Sequence, residues 1–253
     1  MHLNKRNFKY YVKALFWHSK YLFLKLVYKS RAFLKPIHSI NKIILPVNWH
    51  WSVFLLKNIY ENDLETGELN ILGKTLSETD RVLELGTGLG LTSTFCSKIV
   101  GSENVFTFEA NPTLAPHLKN MYQLNNVHPN LEFKILSGNK TGSMSFYVDK
   151  KNALASSVHR INKKQVEIKV PYSNFNETLN TIKPSYLIID IEGAEHELLM
   201  HASLEHIQKI QIELHPIIIG DEKVNEVIKF IESKGFKRNT NITKDQYQAY
   251  FYI

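Results

Sequence analysis

The chain has 253 residues, 43% of them hydrophobic, which suits one large domain or one domain with an appendage. Its single cysteine, Cys96, excludes an intramolecular disulfide framework and a cysteine-rich metal site, and its place in a predicted helix favours a packed thiol. Of the 31 Lys and Arg residues, eleven lie in residues 1–60, which contain no acid, so the remainder carries 20 bases against 24 acids. This distribution argues against a main domain that binds nucleic acid.

Residues 1–48 are predicted to form a basic, aromatic-rich helical arm, and residues 49–253 the main domain. Helical periodicity in the arm places apolar side chains on one face: Phe8, Tyr11, Leu15, Leu22, Leu26 and Phe33. Pro36 is expected to end this helix. The apolar runs are too short for a spanning helix, and lysines interrupt every candidate secretory signal.

Three roles remain open for the arm. A basic, aromatic amphipathic helix suits an anionic membrane surface, which residues 1–35 would contact from the inner face of the membrane. The same helix could pack on the main domain or on a partner subunit, or it could contact RNA. We therefore predict a cytoplasmic protein and leave its peripheral attachment to the membrane and its oligomeric state open.

The segment Arg81–Gly90 carries the first chemical signal. An apolar run, Val82–Leu85, includes Glu84 and precedes a helix-like segment, Leu91–Val100. Between them lie glycines at alternate positions: Gly86, Gly88 and Gly90. The pattern indicates a buried parallel strand that turns sharply into a helix, where glycine lets a ligand approach bare backbone, although a purely structural turn gives the same pattern.

The next predicted strand, Asn104–Glu109, also ends in a carboxylate. Glu109 lies 19 residues after Gly90, which suits an acid that accepts hydrogen bonds from both hydroxyls of a ribose. The structural alternative is a favourable charge at the start of the following helix, which Asn111 and Pro112 open.

The middle of the chain alternates polar and apolar residues. We predict a third strand over Leu131–Leu136 and an inserted hairpin of two strands, Ser143–Asp149 and Gln165–Val170. The loop at residues 150–165 is predicted to contact the substrate, because long loops near strand ends often do so.

A second chemical signal lies in Tyr186–Glu195. A fully apolar strand leads to Asp190, and Glu192 and Glu195 follow at the start of a helix. An acid at the carboxyl edge of a buried strand faces the ligand crevice in an open α/β sheet. The preference of helix N-termini for acids explains Glu192 and Glu195 but not Asp190.

The last part of the chain continues the alternation of strands and helices. A strand over Ile207–Leu214 ends beside His215, a helix follows over Asp221–Lys234, and two strands close the chain, Phe236–Thr240 and Tyr247–Ile253. This order predicts one doubly wound α/β sheet.

Four segments carry a combined signal: Val-Leu-Glu-Leu-Gly-Thr-Gly-Leu-Gly, Phe-Thr-Phe-Glu-Ala-Asn-Pro, Leu-Ile-Ile-Asp-Ile-Glu-Gly-Ala-Glu and Gln-Ile-Glu-Leu-His-Pro. Together they resemble the FkbM family of S-adenosylmethionine-dependent methyltransferases. The resemblance covers roughly residues 60–253, and its third segment is the most specific. It implies an α/β fold with a doubly wound, mostly parallel seven-stranded Rossmann-like sheet, here with an inserted β-hairpin and the helical arm.

The resemblance also implies the cofactor, S-adenosylmethionine, and its site. Glu84 and the glycines would hold the methionine end, Glu109 the ribose, and the Ser137 region would border the adenine, while Glu65 matches an acid carried ahead of the glycine turn. The complete set of implied cofactor-binding residues is Glu65, Glu84, Gly86, Thr87, Gly88, Gly90, Glu109, Ala110, Ser137 and Asp190. The chain departs from the family in having Ile188 where a lysine is frequent, and Gly-Thr-Gly-Leu-Gly where Gly-Ala-Asn-Ile-Gly is frequent.

Methylation of a hydroxyl needs a group that takes its proton. Asp190 and His215 follow two strands and are expected to converge over the methyl group, with His215 favoured as the base by its ordinary pKa. Glu192 completes the catalytic candidates. Alternatively, His215 only packs beside Pro216, or Asp190, Glu192, Glu213 and His215 bind a divalent metal that orients a diol, although we assign no metal ligand at this point.

The resemblance implies O-methylation of a sugar hydroxyl in a polysaccharide, glycolipid or related glycoconjugate, so a glycan or another small molecule is the expected partner. A nucleic-acid methyltransferase could use the basic arm, but Asp190 is not followed by the Pro-Pro-aromatic signature of base amino-group methylation. A nicotinamide-dependent oxidoreductase would share the glycine turn and the ribose acid but not the Asp-Ile-Glu-Gly-Ala-Glu segment. A scaffold that keeps the fold without the chemistry is the remaining alternative.

Overall fold

The computed structural model describes residues 5–138, 142–148, 165–242 and 248–253, with side chains from residue 18 onward. Contacts within the chain divide it into two units, Met1–Leu64 and Glu65–Ile253. Of the helices in the described residues, none has the length and apolar content needed to cross a membrane.

The first unit combines helices with a β-hairpin. Its elements are α1 (Lys5–Leu34), β1 (Ile37–Ile40), β2 (Ile43–Pro46) and α2 (Val53–Tyr60). The prediction that Pro36 ends the first helix is confirmed. The sequence did not reveal the hairpin, which turns at Asn41 and Lys42, both with positive φ. Such turns require positive φ at both central residues, and Asn-Lys is a weaker signal than Asn-Gly.

The second unit alternates strands and helices. Its first half contains α3 (Thr66–Thr75), β3 (Val82–Leu85), α4 (Leu91–Val100), β4 (Val105–Phe108), α5 (Ala115–Asn125), β5 (Asn130–Glu132), β6 (Ile135–Ser137) and β7 (Gly142–Val148). Its second half contains β8 (Val166–Asn174), α6 (Phe175–Ile182), β9 (Tyr186–Ile189), α7 (Glu195–Leu199), β10 (Lys209–Glu213), α8 (Pro216–Ile219), α9 (Asp221–Ser233), β11 (Lys237–Arg238) and β12 (Gln248–Tyr252).

A seven-stranded sheet forms the centre of the described part of this unit, in the order β11-β12-β10-β9-β3-β4-β5. Strands β5, β4, β3, β9 and β10 are parallel, whereas β12 is antiparallel to both of its neighbours. The predicted doubly wound, mostly parallel Rossmann-like sheet is therefore confirmed. The strand order reverses between β3 and β9, and ligands of such sheets bind at the carboxyl ends of the strands at this reversal.

The prediction of one strand over Leu131–Leu136 is wrong. The segment breaks at Phe133 and Lys134, so that β5 joins the large sheet and β6 joins a separate sheet with β8 and β7. Strands β7 and β8 pair antiparallel, which confirms the inserted hairpin. A single long strand and the two short strands β5 and β6 would show the same alternation of apolar residues. The sequence pattern alone could therefore not distinguish the two arrangements.

Burial and one ion pair hold the central strands in place. Strands β3 and β9 are buried at every position, as the apolar sequence of a parallel strand requires. At their amino ends, the buried Asp80 accepts hydrogen bonds from Ser185 Oγ at 2.9 Å and from Lys209 Nζ at 2.6 Å. Cys96 is fully buried, which confirms the packed thiol.

Candidate functional site

The glycine turn lies at the strand-order reversal, directly against the end of β9. Gly86 has a φ of +93°, and a Cβ atom there would lie 1.7 Å from the carbonyl oxygen of Asp190. The Asp190 amide donates in turn to the Leu85 carbonyl at 2.9 Å. No side chain fits at this position, so glycine is needed there for the ends of β3 and β9 to approach each other.

The first acid of the turn, Glu84, is buried inside the sheet. Its carboxyl accepts a hydrogen bond from Thr107 Oγ1, which lies 2.5 Å from Thr87 Oγ1. Burial raises the pKa of Glu84 to about 8, although the Thr107 hydrogen bond acts in the opposite direction. These hydrogen bonds link β3, β4 and the turn beneath the protein surface. The Glu84 carboxyl itself is buried and does not reach the surface of the crevice.

Glu109 follows β4 and lies beside the same turn. Its two oxygens accept the backbone N–H groups of Gly88 at 2.9 Å and Asn111 at 2.7 Å. Burial raises the pKa of Glu109 to about 6, while these backbone donors lower it. Each carboxylate oxygen has a second lone pair, so the arrangement is compatible with the predicted hydrogen bonds to ribose hydroxyls.

Two further residues predicted to bind the cofactor, Ala110 and Ser137, lie beside the three-stranded sheet. Ala110 packs against the small cluster of Phe146, Val148 and Val170. Ser137 ends β6 and pairs with Asn174 of β8. The inserted sheet therefore borders the cofactor side of the crevice next to Glu109. The predicted acceptor loop, with Ser156, Ser157, His159 and Arg160, lies outside the described residues.

His215 follows β10, and the buried Glu195 holds its ring in place. Glu195 is 0% exposed, and its Oε1 lies 2.5 Å from His215 Nδ1 and accepts the Gly193 N–H at 2.9 Å. The tautomer of neutral His215 that donates from Nδ1 to Glu195 leaves Nε2 as an acceptor. The alternative that His215 merely packs beside Pro216 does not account for this contact.

Three further acids surround the Nε2 atom of His215. Asp190 Oδ1 lies at 3.7 Å, Glu192 Oε2 at 3.6 Å and Glu213 Oε1 at 3.9 Å. The Asp190 side chain is 41% exposed, but its Oδ1 atom is buried and has no hydrogen-bond partner within the described structure. The predicted catalytic residues Asp190, Glu192 and His215 thus lie together. We refer to Asp190, Glu192, Glu213 and His215 as the His215 cluster.

The electrostatics of the His215 cluster follow from burial and from the proximity of like charges. Burial and the charges of Glu192 and Glu68 raise the pKa of Asp190 well above its ordinary value. Burial, together with Asp190 and Glu68, raises the pKa of Glu213 to about 9. Burial alone would lower the pKa of His215, but the Glu195 hydrogen bond and the nearby acids outweigh it, so that pKa is raised.

Glu65, predicted as a cofactor ligand, also lies near these charges. Burial raises its pKa well above the ordinary value, and the charges of Glu68, Glu84 and Asp190 add to this effect. Thr92 Oγ1 donates to Glu65 Oε2 at 3.4 Å. The structure therefore places Glu65 close to Thr92 of α4 and near the charges of Glu84 and Asp190.

Asp190, Glu213 and His215 also satisfy the geometry of a metal site, since one ligand atom from each lies within 4.8 Å of the others. Two carboxylate oxygens and one imidazole suit a divalent cation. Because Glu195 engages Nδ1, the metal would have to use Nε2. A metal ion and a general base therefore compete for the same nitrogen atom of His215.

The contact of Glu195 with His215 was not predicted from the sequence, in which Glu195 was explained as a helix-terminal charge. Helix α7 does begin at Glu195, but the side chain turns back to Gly193 and to His215, which arrives from another strand. The sequence feature that could have identified Glu195 as a site residue is its position at the end of the Asp-Ile-Glu-Gly-Ala-Glu segment. The closeness of Glu68 to Glu213 and Asp190 was missed as well, because 122 positions separate Glu68 from Asp190 in the sequence.

The family model of the Methyltransferase FkbM domain matches residues 85–238, more than half of the chain. The chain belongs to the FkbM methyltransferase family. It is therefore a methyltransferase whose methyl donor is S-adenosylmethionine, and the oxidoreductase and scaffold alternatives do not stand. The acceptor oxygens of Glu109 and the buried Asp190 Oδ1, which has no hydrogen-bond partner among the described residues, fit this cationic nucleoside.

Several solved structures are similar to this FkbM protein. The precorrin-6y C5,15-methyltransferase of Geobacter metallireducens has 11% identity and a TM-score of 0.43, with 74% of this chain and 85% of that chain covered. Fibrillarin of Aeropyrum pernix, in complex with S-adenosyl-L-methionine, has 15% identity and a TM-score of 0.40, with 73% of each chain covered. A Klebsiella pneumoniae protein described as an O-methyltransferase has 13% identity and a TM-score of 0.40, with 75% and 80% covered. No curated protein matches the chain.

Proposed function

We propose that this FkbM protein methylates a hydroxyl group of a sugar in a polysaccharide, glycolipid or related glycoconjugate. The observation that carries the proposal is the Glu195–His215 pair, with its 2.5 Å contact and its Nε2 atom among the acids that follow β9 and β10. A neutral hydroxyl is a weak nucleophile and gains most from a positioned base, whereas an amine already carries a free electron pair.

In the proposed mechanism, His215 Nε2 takes the hydroxyl proton while Glu195 stabilises the imidazolium that forms. Bound S-adenosylmethionine supplies an electrophilic methyl group on a positively charged sulfur. The glycine-turn backbone and Glu109 would hold the nucleoside, Ala110 and Ser137 would border its base, and Glu65 and Asp190 would face its cationic end. The protein's main contribution is to orient the two reactants in line.

The acids of the His215 cluster favour a polyhydroxylated acceptor over a polyanion. Carboxyl groups accept hydrogen bonds from sugar hydroxyls when they are ionised and can also donate to them when they are protonated. Asp190, Glu192 and Glu213 lie within 3.9 Å of His215 Nε2, so a phosphate at this position would meet acids that repel it when ionised and offer it no positive charge when protonated. This supports a neutral glycan rather than RNA or DNA.

The test is transfer of labelled methyl groups from S-adenosylmethionine to neutral glycans, extracted glycolipids, and total RNA and DNA. We expect label in the glycan fraction, released on hydrolysis as an O-methyl sugar. The variant His215→Asn should lower kcat by about 10²–10⁴-fold and change the Kd for S-adenosylmethionine by less than about threefold. Label in nucleic acid alone would contradict the proposal.

A second histidine supplies a matched control. His196 Nε2 lies 2.5 Å from Glu226 Oε2, an equivalent pair outside the His215 cluster. His196→Asn should therefore keep its activity. Full activity in both His215→Asn and Asp190→Asn would remove both candidate bases. Treatment with EDTA should leave the rate unchanged, whereas a loss that Mg²⁺ or Mn²⁺ restores would assign Nε2 to a metal.

A further inference from the structure

The first unit presents an apolar helix face that its own packing leaves exposed. Helix α1 packs on α2 through Tyr28, whose ring stacks on Tyr60 at 6.4 Å and whose hydroxyl donates to Glu61 Oε1 at 2.6 Å. Ala32, one turn further along, is buried on the same side. These contacts fix which face of α1 points inward within the unit.

The other side of α1 carries large apolar side chains spaced at three, four and seven residues. We call this set the α1 outer face: Leu22, Phe23, Leu26, Val27, Phe33 and Leu34. These side chains are between 39% and 74% exposed. Single exposed apolar residues are common on proteins, but a continuous helical stripe of them indicates an interaction surface.

Basic residues flank the α1 outer face on both sides. At 3.6 residues per turn, Lys25 and Lys29 lie along one edge of the stripe, and Lys20 and Arg31 lie along the other. Lys29 Nζ also donates to the Trp51 carbonyl, and Arg31 Cζ lies 4.3 Å from the centre of the Tyr60 ring. Helix α1 contains no acid, and Glu61, the first acid of the chain, accepts from Tyr28 and pairs with Lys57. An apolar stripe between two rows of cations is the pattern of a helix that lies in the plane of a membrane surface.

We propose that the α1 outer face binds an anionic lipid bilayer, with α1 parallel to the surface. The apolar side chains would enter the boundary between headgroups and acyl chains, and the exposed Lys25 and the other bases along the edges would meet the lipid phosphates. The proposal is independent of the methyl acceptor and of His215.

Charge and apolar character favour a lipid bilayer over a second copy of the chain or RNA as the partner of the α1 outer face. Two copies of the face would bring two sets of cations together without an acid to pair with them, which opposes self-association. RNA phosphates would satisfy the bases but would leave Leu22, Leu26 and Leu34 in water. A lipid surface satisfies both the charges and the apolar stripe.

The experiment is vesicle flotation of the full chain. Vesicles of phosphatidylcholine containing about one third phosphatidylglycerol should float the protein at low salt, whereas pure phosphatidylcholine should bind it at least about tenfold more weakly. Lys25→Glu should weaken binding to the anionic vesicles by about tenfold or more. Lys42→Glu, the same charge change in the hairpin turn, should have a much smaller effect.

The apolar part of the proposal is tested in the same assay. Leu26→Gln and Phe23→Gln should each weaken vesicle binding by about tenfold, since each removes a large side chain from the lipid contact. Ile44→Gln, an apolar-to-polar change on β2, should bind like the wild type. Circular dichroism and melting temperature check that the variants fold.

Other outcomes would overturn the proposal. The first is equal flotation with neutral and anionic vesicles. The second is no flotation at all by a folded protein. The third is a dimer, seen by analytical ultracentrifugation, that Leu26→Gln dissociates while vesicle binding is absent, since this would assign the face to a second copy of the chain.

Discussion

The acids beside the glycine turn and the acids of the His215 cluster have opposite hydrogen-bonding environments. At the turn, Glu84 accepts from Thr107, and Glu109 accepts from the backbone of Gly88 and Asn111. In the His215 cluster, Asp190 Oδ1 is buried without a hydrogen-bond partner among the described residues. The turn acids accept hydrogen bonds from donors of the protein itself, whereas Asp190 Oδ1 has no such donor among the described residues.

This difference suggests that the carboxyl groups at the turn and those in the His215 cluster have different roles. Donors fixed in the fold make the turn a rigid support whose geometry a ligand does not need to create. Burial, and then the charges of neighbouring acids, raise the pKa values of Asp190 and Glu213, so a positive charge that arrives beside them favours the release of their protons. Changes at the turn should therefore affect the fold and the cofactor cradle, and changes in the cluster should affect protons.

The largest effect on cofactor binding should come from Gly86→Ala, which disrupts the glycine turn after β3. The new Cβ would lie 1.7 Å from the Asp190 carbonyl oxygen, so the ends of β3 and β9 must separate. We expect affinity for S-adenosylmethionine, measured by calorimetry, to fall by more than about 100-fold, with a lower melting temperature.

The control for Gly86→Ala is Gly235→Ala. Gly235 also has a φ of +93°, but a Cβ atom there meets nothing within 4 Å. It has the same backbone strain without the clash, so its cofactor affinity should match the wild type. Equal losses in the two variants would show that strain, and not the contact with Asp190, matters at the turn.

The second effect concerns Glu195→Gln, which keeps the shape of the buried side chain and removes its charge. The charge and hydrogen bond of Glu195 raise the pKa of His215, so their loss should move the inflection of the pH–rate profile to lower pH. We expect kcat at the plateau to fall by about tenfold, because the imidazolium loses its partner.

The matching variant is Glu226→Gln, which removes the acid beside His196. It should leave the pH profile unchanged. If Glu195→Gln lowers the melting temperature without moving the inflection, Glu195 only supports the fold.

The sequence predicted the turn more completely than the cluster, for a physical reason. The limits of α4, Leu91–Val100, are as predicted, because Gly90 and Gly101 bracket a local helical pattern. The carboxylates of Glu109 and Asp190 were found because each directly follows an apolar strand. The contact between Glu195 and His215 could be predicted only by knowing where the chain after β10 places His215. No local sequence pattern contains that information.

A third prediction uses the charge of the ligand itself. If the cluster acids release protons to a cation, affinity for S-adenosylmethionine should rise with pH by about tenfold between about pH 6 and pH 9. The sign follows from the raised pKa values of Asp190 and Glu213, because the protonated acids at low pH do not attract the sulfonium. S-adenosylhomocysteine lacks that charge and should show a much weaker dependence by calorimetry. Parallel pH profiles for the two ligands would contradict this view of the cluster.

The smallest effect on catalysis should come from Glu84→Gln, which alters the support without changing its shape. The pKa of Glu84 is about 8 in the folded protein and 4.5 as the ordinary value, so between these limits the folded state keeps a proton that the unfolded state has lost. Stability should therefore fall as the pH rises through this window, and glutamine, which cannot ionise, should remove that part of the fall. We expect the wild-type melting temperature to drop by about 5 °C more than that of the variant between about pH 5 and pH 8, with methyl transfer within about threefold. The control Glu205→Gln, at an exposed site, should show the same pH dependence of the melting temperature as the wild type. If Glu84→Gln also shows the wild-type dependence, Glu84 is ionised in the folded protein and this prediction is wrong.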